Sequence, residues 1–365
     1  MNKRILFLSP NLGHGGGGAE RQIVTVASLL KDRGYDVEFL CYVEGDFYEH
    51  ILKDKGIPVH RKLLPNYLKR MFFVRRFIRN GKYNAVISFL ETPNFLNNFA
   101  AIGGKTWKVI TGERSAQKKT FLSQKGKIFC WCQRYADYIV CNSENAKQMW
   151  LKYCPQYRDK MAVIYNNVML QKVTSEYVPR RGGKLHMVVA ASYQSLKNAI
   201  GLINALALLT KDEKDMVHVS WYGRRDISAI GTKVYDEAVS AIEKLSLQCV
   251  ITLHGETNGI HDKMRKADVV GLFSKFEGRP NVICEGMMLG KPIIMTRVSD
   301  YDVLVDESNG ALCDWDKIES IKNAILELMN KSISELLLMG EFSRNRAEKL
   351  FSKERITSSW IKLLE

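Results

Sequence analysis

Two glutamates, Glu277 and Glu285, have the spacing in this 365-residue sequence that points most directly to chemistry. Glu277 precedes a Gly-Arg-Pro turn, and Glu285 lies in an apolar run, 282–289, that has helical character and ends at a Gly-Lys-Pro stop. A short buried strand is predicted next, at 293–296. We therefore expect both carboxylates at the sheet edge where open α/β sheets bind ligands. The alternative is a pair of surface glutamates near a helix start, which the helix macrodipole favours.

Cationic side chains are predicted at the same edge of the same sheet. Lys197 follows the first strand of the second half of the chain, Arg224 and Arg225 follow the next strand, and Arg279 lies between the two glutamates. Ammonium and guanidinium groups that converge in this way would bind a diphosphate. Ordinary surface cations are the alternative.

A glycine-rich run at 13–18, Gly-His-Gly-Gly-Gly-Gly, follows the first predicted strand. Glycines let backbone N–H groups approach a phosphate closely, and the helix predicted from Ala19 adds the positive end of its dipole. The run lacks the spaced glycines of a dinucleotide-binding loop, and no acidic residue closes the next strand. A flexible turn is therefore the alternative to a phosphate-binding loop.

Strand and helix signals alternate along both halves of the chain, which a polar, basic stretch at 171–184 separates. Two such series imply an α/β fold with two doubly wound, Rossmann-like domains facing across a cleft. The final stretch, 332–364, is predicted to be helical with a break at Gly340. The predicted strands are 4–9, 37–42, 85–89, 108–111 and 138–141 in the first half, and 187–191, 217–222, 250–253, 269–273 and 293–296 in the second.

Composition narrows the class of protein. Hydrophobic residues make up 46% of the chain and charged residues 25%, as in a soluble globular protein, and no run has the length of a membrane-spanning helix. The apolar run 5–8 is too short for a signal-peptide core. The eight cysteines are scattered without a CxxC pair, which indicates reduced core thiols of a cytosolic protein. The net charge of +15 indicates an anionic partner: nucleic acid, a nucleotide or an acidic membrane.

Two basic segments, 67–79 and 118–127, have side chains suited to an anionic bilayer, and the first is amphipathic. We favour the interpretation that the apolar side of such a helix packs on its own sheet and leaves a solvated basic face, and both interpretations can hold together. Two acidic pairs, at 300–302 and 314–316, have the D-x-D pattern of a divalent-ion site, but we interpret them as structural. The seven histidines are dispersed, and nothing supports nucleophilic catalysis.

Taken together, these segments resemble a GT-B-fold retaining glycosyltransferase of family 4, the E-x7-E type. The resemblance covers essentially the whole chain and is strongest at 274–296. The glycine-rich loop leading into Ala19-Glu20-Arg21, the pair Lys197-Asn198 and the pair Asn309-Gly310 also match family elements. It implies an N-terminal acceptor domain at 1–168, a C-terminal nucleotide-sugar donor domain at 169–345, and a C-terminal helix at 346–365 that crosses back onto the N-terminal domain.

The resemblance also assigns roles. Glu285 holds the ribose hydroxyls of a nucleotide-sugar, Glu277 lies beside the transferred sugar, and Lys197 neutralises the diphosphate. No metal and no cofactor are expected, since fixed cations serve the leaving group and the nucleotide-sugar is a substrate. Further donor-binding residues are Gly278, Arg279, Pro280, Asn281, Val282 and Ser192, and the phosphate or acceptor loop is Gly16, Gly17 and Gly18.

Three positions depart from the family pattern. Ser192 replaces an arginine that commonly precedes the lysine, so Arg224 is expected to act with Lys197 as a catalytic cation. Many relatives carry a histidine where this chain has Gly112-Glu113-Arg114, and we expect Glu113 or Arg114 on the acceptor side. The usual G-G-x-x-E loop is replaced by 298–305, which leaves the sugar contacts there open.

The sequence therefore predicts a cytoplasmic glycosyltransferase, peripheral at the inner face of the membrane. It would move a sugar to a lipid-linked glycan during synthesis of a cell-surface polysaccharide, with retention of configuration and without a nucleic-acid partner. A sugar-nucleotide epimerase of the same fold is one alternative, and a basic nucleic-acid-binding protein is another. A dinucleotide-dependent dehydrogenase has less support.

Overall fold

The computed structural model describes residues 3–14, 18–114, 118–168, 170, 174–225 and 231–365. The chain forms two units: unit 1 comprises Met1–Asn167 and Ser352–Glu365, and unit 2 comprises Val168–Phe351. The first junction lies one residue from the boundary that the sequence predicted. The second junction lies six residues later than predicted, because the helix before it runs on to Phe351.

Unit 1 contains a seven-stranded parallel sheet with the strand order β3-β2-β1-β4-β5-β6-β7. In the interior strand β1, Ile5 pairs with Val37 on one side and Ala85 on the other. Its strands are β1 Arg4–Ser9, β2 Asp36–Cys41, β3 Val59–Arg61, β4 Ala85–Phe89, β5 Lys108–Glu113, β6 Tyr138–Cys141 and β7 Met161–Val163. Its first helices are α1 Gly18–Asp32, α2 Glu49–Asp54, α3 Tyr67–Asn80, α4 Glu91–Ala101, α5 Lys118–Leu122, α6 Gln124–Cys132 and α7 Glu144–Tyr153.

Unit 2 contains a six-stranded parallel sheet with the order β10-β9-β8-β11-β12-β13. Its strands are β8 Leu185–Ala190, β9 Val217–Tyr222, β10 Ile251–His254, β11 Val269–Leu272, β12 Ile293–Thr296 and β13 Gly310–Cys313. Its helices are α8 Ala199–Ala207, α9 Lys211–Asp215, α10 Gly231–Lys244, α11 Ile260–Lys266, α12 Asn281–Met288, α13 Tyr301–Leu304, α14 Ile318–Met329 and α15 Ile333–Phe351; the chain then returns to unit 1 as α16 Lys353–Leu364.

Alternation along the strands builds the core of unit 1 on both faces of its sheet. Ile5 and Phe7 of β1 belong to one buried cluster, and Leu6 and Leu8 belong to the other. A continuous apolar strand is the pattern expected when helices cover both faces of a parallel sheet. Helix α16 supplies Trp360 to the first cluster, so the chain does cross back onto the N-terminal unit.

Three strands were not predicted from the sequence: β3, β7 and β13. The first two have only three residues each and are half-buried or exposed, so they lack the apolar run that marks a buried strand. Strand β13 starts at Gly310, the second residue of the predicted Asn-Gly turn. Short strands at sheet edges give little signal in a single sequence.

The predicted break at Gly340 is wrong, since α15 runs through it without interruption. A Cβ atom at residue 340 would overlap the carbonyl oxygen of Gly290, so the glycine permits close packing rather than a turn. The helix ends instead at Phe351, and the next side chain, Ser352, accepts a hydrogen bond from the backbone N–H of Arg355 and caps α16. In the described part of the chain, no helix combines the length and apolarity needed to span a bilayer.

Candidate functional site

The strand order of unit 2 reverses between β8 and β11, with β9 and β10 on one side and β12 and β13 on the other. Loops that leave such neighbouring strands turn in opposite directions and open a crevice at the carboxyl edge of the sheet. Lys197 lies on the loop after β8, and Glu277 lies on the loop after β11. The structure thus places these two predicted residues at the switch point of one sheet.

Lys197 and Glu277 form an ion pair across this crevice. The Lys197 Nζ atom lies 2.5 Å from Glu277 Oε1, and the Ser274 hydroxyl donates to the same oxygen at 2.6 Å. The two charged side chains keep 20% and 12% of their surface exposed, so a ligand can reach them. A backbone hydrogen bond of 2.8 Å from Lys275 to the Leu196 carbonyl ties the two loops together.

Local backbone geometry fixes the position of Lys197. The next residue, Asn198, has a left-handed conformation with φ of 63°, which asparagine tolerates better than most residues. Its side-chain amide donates to the Trp315 carbonyl at 3.0 Å, which anchors the start of α8. The lysine therefore projects from a turn that is held at both ends.

Glu285 lies in the second turn of α12 and is 8% exposed. Its Oε2 atom is 3.4 Å from Nε2 of His261, a residue of α11 that is itself 4% exposed. Neither this histidine nor Ser274 was predicted from the sequence as part of the site. His261 was one of seven dispersed histidines, and only the packing of α11 against α12 brings it to the carboxylate.

The segment 278–282 turns from the loop into α12, and its arginine was expected to converge with Lys197. The Arg279 guanidinium is buried 4.6 Å over the ring of Phe351, so the side chain packs inside unit 2 instead of joining Lys197. The backbone N–H of Asn281 donates to the Arg279 carbonyl at 3.0 Å, and Pro280 has no N–H to offer. Gly278 accepts from the Ser299 hydroxyl at 2.8 Å, and Val282 is half-buried in the first turn of α12.

Ser192 and Arg224 follow the neighbouring strands β8 and β9. The backbone N–H of Tyr193 donates to the Arg224 carbonyl at 3.0 Å, which joins the two loops, and the Arg224 side chain is exposed. Arg225 is held elsewhere: its guanidinium lies 3.8 Å over the ring of Tyr235 and donates to the hydroxyl of that residue. Both arginines are exposed, but the Arg225 guanidinium is engaged by Tyr235.

Glu113 and Arg114 lie at the carboxyl end of β5 in unit 1, where the prediction placed them. The Glu113 carboxylate accepts from Trp150 Nε1 at 3.1 Å and from the Arg114 backbone at 2.8 Å. The Arg114 guanidinium lies 3.5 Å over the ring of Phe89 and donates to Asn166 at 2.8 Å. Both side chains are half-buried and held by unit 1.

Part of the glycine-rich loop lies outside the described residues. Gly16 and Gly17 are not among the described residues, and Gly18 is the first residue of α1.

The acidic pair at 314–316 has a structural explanation. Hydrogen bonds from Lys317 and Arg297 lower the pKa of Asp314, which lies on the surface of unit 2. Across the described ranges, no group of three or more His, Cys, Asp or Glu side chains is arranged to hold a metal ion. The metal independence of the reaction stays a prediction.

Comparison with known families decides the identity. A family model described as "Glycosyltransferase Family 4" matches residues 16–172, and one described as "Glycosyl transferases group 1" matches residues 184–331. The chain belongs to the family 4 glycosyltransferases. Together the two matches cover most of both units, and unit 2 carries the E-x7-E pair of this glycosyltransferase at its switch point.

Several bacterial proteins are similar to this glycosyltransferase over nearly their whole length. An Escherichia coli UDP-Gal:alpha-D-GlcNAc-diphosphoundecaprenol alpha-1,3-galactosyltransferase is 21% identical, with 90% of this chain and 88% of the relative aligned. A Campylobacter jejuni alpha-1,4-N-acetyl-D-galactosaminyltransferase, whose acceptor is a diNAcBac-PP-undecaprenol glycan, is 24% identical over 99% and 98% of the two chains. The structure of Anabaena HepE in complex with UDP and glucose superposes with a TM-score of 0.81 at 19% identity, over 100% and 99% of the chains, which shows the shared GT-B fold.

Proposed function

We propose that this glycosyltransferase transfers a sugar from a nucleotide-sugar donor to a lipid-linked glycan acceptor during synthesis of a cell-surface polysaccharide. The observation that carries the proposal is the Lys197–Glu277 ion pair at the switch point of the donor unit. The relatives from E. coli and C. jejuni, named for undecaprenol-linked acceptors, support the acceptor class, and the UDP complex of HepE supports the donor class.

Lys197 is proposed to stabilise the diphosphate leaving group. Its ammonium is held on a fixed turn, so it needs no reorganisation when negative charge develops on the phosphates. Binding of the donor exchanges one anionic partner, Glu277, for another, the phosphate oxygen. Arg224, exposed at the end of the next strand, is the second cation proposed for this charge. With these fixed cations we propose that the reaction is independent of a metal ion.

The two glutamates are proposed to hold different parts of the donor. Glu285 is buried beside His261, and a buried carboxylate that accepts from neutral hydroxyls suits the ribose. Glu277 shares the crevice with Lys197, so it lies where the sugar next to the diphosphate would be. Gly278, Pro280, Asn281, Val282 and Ser192 are proposed to complete the donor site from the loops around this pair.

We also propose that the anomeric configuration is retained. The acceptor would attack from the same face of the sugar from which the leaving group departs. Glu277 Oε1 already accepts from the Lys197 ammonium and the Ser274 hydroxyl. We propose direct attack without a covalent intermediate through Glu277, whose carboxylate is assigned to the hydroxyls of the transferred sugar. Glu113 and Arg114 are the residues of unit 1 proposed for the acceptor side, together with the loop that contains Gly16, Gly17 and Gly18.

The basic face of unit 1 is proposed to contact an anionic membrane, at the inner face of the cytoplasmic membrane. Leu68 and Phe72 of α3 are each 63% exposed, and Lys69 and Arg76 are exposed beside them. No acidic residue occurs between Asp54 and Glu91, so this segment carries only positive charge. Exposed apolar side chains among cations are typical of helices that lie in a bilayer interface.

A donor screen tests the enzymatic proposal. Thermal shift against a panel of nucleotide-sugars should reveal one donor that raises Tm for the wild type and for Glu327→Gln, an exposed control on α14, but not for Glu285→Gln. With that donor and a soluble lipid-diphosphate glycan, Lys197→Met should lower kcat by roughly a hundredfold or more, while Lys244→Met should have no effect. NMR of the product should show the anomeric configuration of the donor.

Three outcomes would contradict the proposal. One is the absence of a Tm shift with every donor. Another is isomerisation of the donor when no acceptor is present, which would identify an epimerase. The third is tight, salt-sensitive binding to nucleic acid without transfer, since counterion release makes such binding fall steeply with salt.

A further inference from the structure

A cavity of about 620 Å³ lies within unit 1 between α5, α6 and α7, and its described lining includes none of the residues assigned to the reaction. This volume is within the range of roughly 300–1,000 Å³ that is typical of sites for small organic molecules. Its walls are aromatic: the rings of Phe121 and Tyr153 stack at 4.9 Å, and Tyr157 lies beside them. The Tyr157 hydroxyl donates to the Trp131 carbonyl at 3.3 Å, so this residue offers its ring rather than a free hydroxyl, and the exposed Gln156 is the uncharged polar side chain of the lining.

The charged groups of this cavity are all positive. Lys127 and Arg134 line it, and none of the described Asp or Glu side chains does. The sequence contains no acidic residue from 115 to 136, so no carboxylate on this segment competes for the cations. Arg134 is exposed, and its guanidinium stacks 3.9 Å over the ring of Trp131. An apolar cavity with a cationic rim is complementary to an anionic amphiphile.

The cavity is continuous with the apolar surface of unit 1. Leu122 and Trp131 line it and are 51% and 49% exposed, and the α6 residue Ile128 is 56% exposed. A series of ring contacts of 5.2, 6.2 and 6.1 Å continues from α6 across α4 to α3, through Phe129, Phe95, Phe99 and Phe72. Apolar side chains and ring contacts thus extend from α6, which lines the cavity, to α3, the helix of the proposed membrane face.

We propose that this cavity binds the hydrocarbon chain of a single-chain phosphate lipid, with its phosphate at Lys127 and Arg134. A free phosphate would not use the aromatic walls, and a neutral chain would not use the cationic rim. The lipid can come from two sources, the isoprenoid chain of the acceptor or an acyl lipid of the bilayer. The inference extends the proposed membrane contact and rests on it for the source of the lipid.

Cys154, on the floor of the cavity, provides a local readout. A hydrogen bond from Cys130 lowers the pKa of Cys154, and the residue is 6% exposed, so its alkylation depends on access through the cavity. The full chain would be treated with iodoacetamide in the presence of dodecyl phosphate, farnesyl phosphate, dodecanol or inorganic phosphate, without vesicles. Alkylation at each cysteine would be measured by peptide mass spectrometry. Cys249 of unit 2 is exposed and serves as the internal control.

We expect dodecyl phosphate to slow alkylation of Cys154 at least fivefold, with no effect on Cys249. Dodecanol should protect less and inorganic phosphate not at all. Lys127→Glu should weaken protection at least fivefold. Lys125→Glu, on the same helix but outside the cavity, should change it less than twofold. Stronger protection by farnesyl phosphate would support the isoprenoid source, and equal protection by the two lipids would support an acyl lipid.

Failure to protect Cys154 with either lipid, or equal protection by inorganic phosphate, would overturn the inference. Equal effects of Lys127→Glu and Lys125→Glu would also overturn it, because they would indicate unspecific attraction to a basic surface. Transfer to a water-soluble acceptor without a lipid chain separates this result from the proposed function. Activity without protection would refute the chain site alone, and protection without activity would refute the proposed reaction alone.

Discussion

At the scale of single residues, the proposed donor site contains a pair of opposite charges rather than a single charged group. Lys197 and Glu277 are 80 positions apart in the chain, yet they meet at 2.5 Å because the strands that precede them are neighbours in the sheet. Each side chain neutralises the other in a partly desolvated crevice, which reduces the cost of holding two charges there. The pair therefore keeps both groups in place until a ligand supplies new partners.

Lys291 is a second charged residue in an unusual setting, at the opposite end of α12. It is 2% exposed, and its Nζ atom lies 3.3 Å from the centroid of the Tyr177 ring. Burial, with the repulsion of Arg265 and Arg344, lowers the pKa of Lys291 to about 7, although Asp268 opposes the shift. The folded protein therefore binds fewer protons at this site than the unfolded chain between pH 7 and the ordinary lysine pKa.

This difference predicts a pH-dependent effect of Lys291→Met. Wild-type stability should rise with pH from about 7 towards 10, because only the unfolded state still holds the proton. At or below pH 7 the folded protein must bury the charged form, so the variant should gain most there and progressively less above it. Chemical denaturation from pH 6 to pH 10, with Lys244→Met as an exposed control, checks this. A gain that is independent of pH would show that packing alone explains the variant.

At the scale of elements, residue 340 must be a glycine because the backbone of Gly290 lies against it. Alanine normally stabilises a helix interior by about 1 kcal/mol relative to glycine. Here the added Cβ would overlap the Gly290 carbonyl, so we expect Gly340→Ala to lower the free energy of unfolding by about 1–3 kcal/mol. Urea denaturation measures the change, and Glu341→Ala, an exposed neighbour on α15, should leave it nearly unchanged. A stabilised Gly340→Ala protein would refute the close packing of these two glycines.

Helix α3 combines arginines that hold the fold with arginines that face solvent. Arg75 donates to the carbonyls of Phe99, Ala100 and Ile102 at the end of α4, whereas its neighbour Arg76 is exposed. Arg75→Met should therefore lower Tm, because it leaves helix C-terminal carbonyls without their cation.

Arg76→Met should affect membrane binding rather than thermal stability. It should leave Tm unchanged and weaken binding to anionic vesicles about fivefold, since one cation near such a surface contributes about 1 kcal/mol. Vesicle sedimentation and thermal unfolding of both variants give the comparison. Similar results for the two variants would contradict this division of α3.

Some features of the fold could be predicted from local sequence, whereas others depend on contacts between distant segments of the chain. Long apolar strands such as β1 and the helix stop after Glu285 were predictable because they depend on local pattern and turn chemistry. The His261–Glu285 contact and the role of Gly340 were not predictable, because each depends on a neighbour that the chain brings back from a distance. Arg279 was predicted at the diphosphate from its position in the motif, but the direction of its side chain depends on Phe351 at the end of α15.

At the scale of the whole molecule, the net charge of +15 is concentrated in particular segments. The acid-free stretches 55–90 and 115–136 both belong to unit 1, and they contain α3 and α6. These helices pack on the same central helix, α4, so the fold gathers separate basic segments into one layer. The positive charge of these segments is therefore gathered in one layer of unit 1, which composition alone could not show.

Unit 1 is built from two distant parts of the chain, and this organisation makes its stability depend on α16. Trp360 is 2% exposed, lies 6.0 Å from Phe89 and belongs to a core cluster of unit 1. Trp360→Ala should therefore destabilise unit 1 by roughly 3–5 kcal/mol, the usual cost of truncating a buried tryptophan. Hydrogen exchange should accelerate in β1–β7 and stay nearly unchanged in β8–β13, whereas Ser358→Ala, an exposed position on the same helix, should change neither. Equal acceleration in both sheets would mean that the two units unfold as one cooperative body, and the return of the chain to unit 1 would then stabilise the whole protein rather than one half.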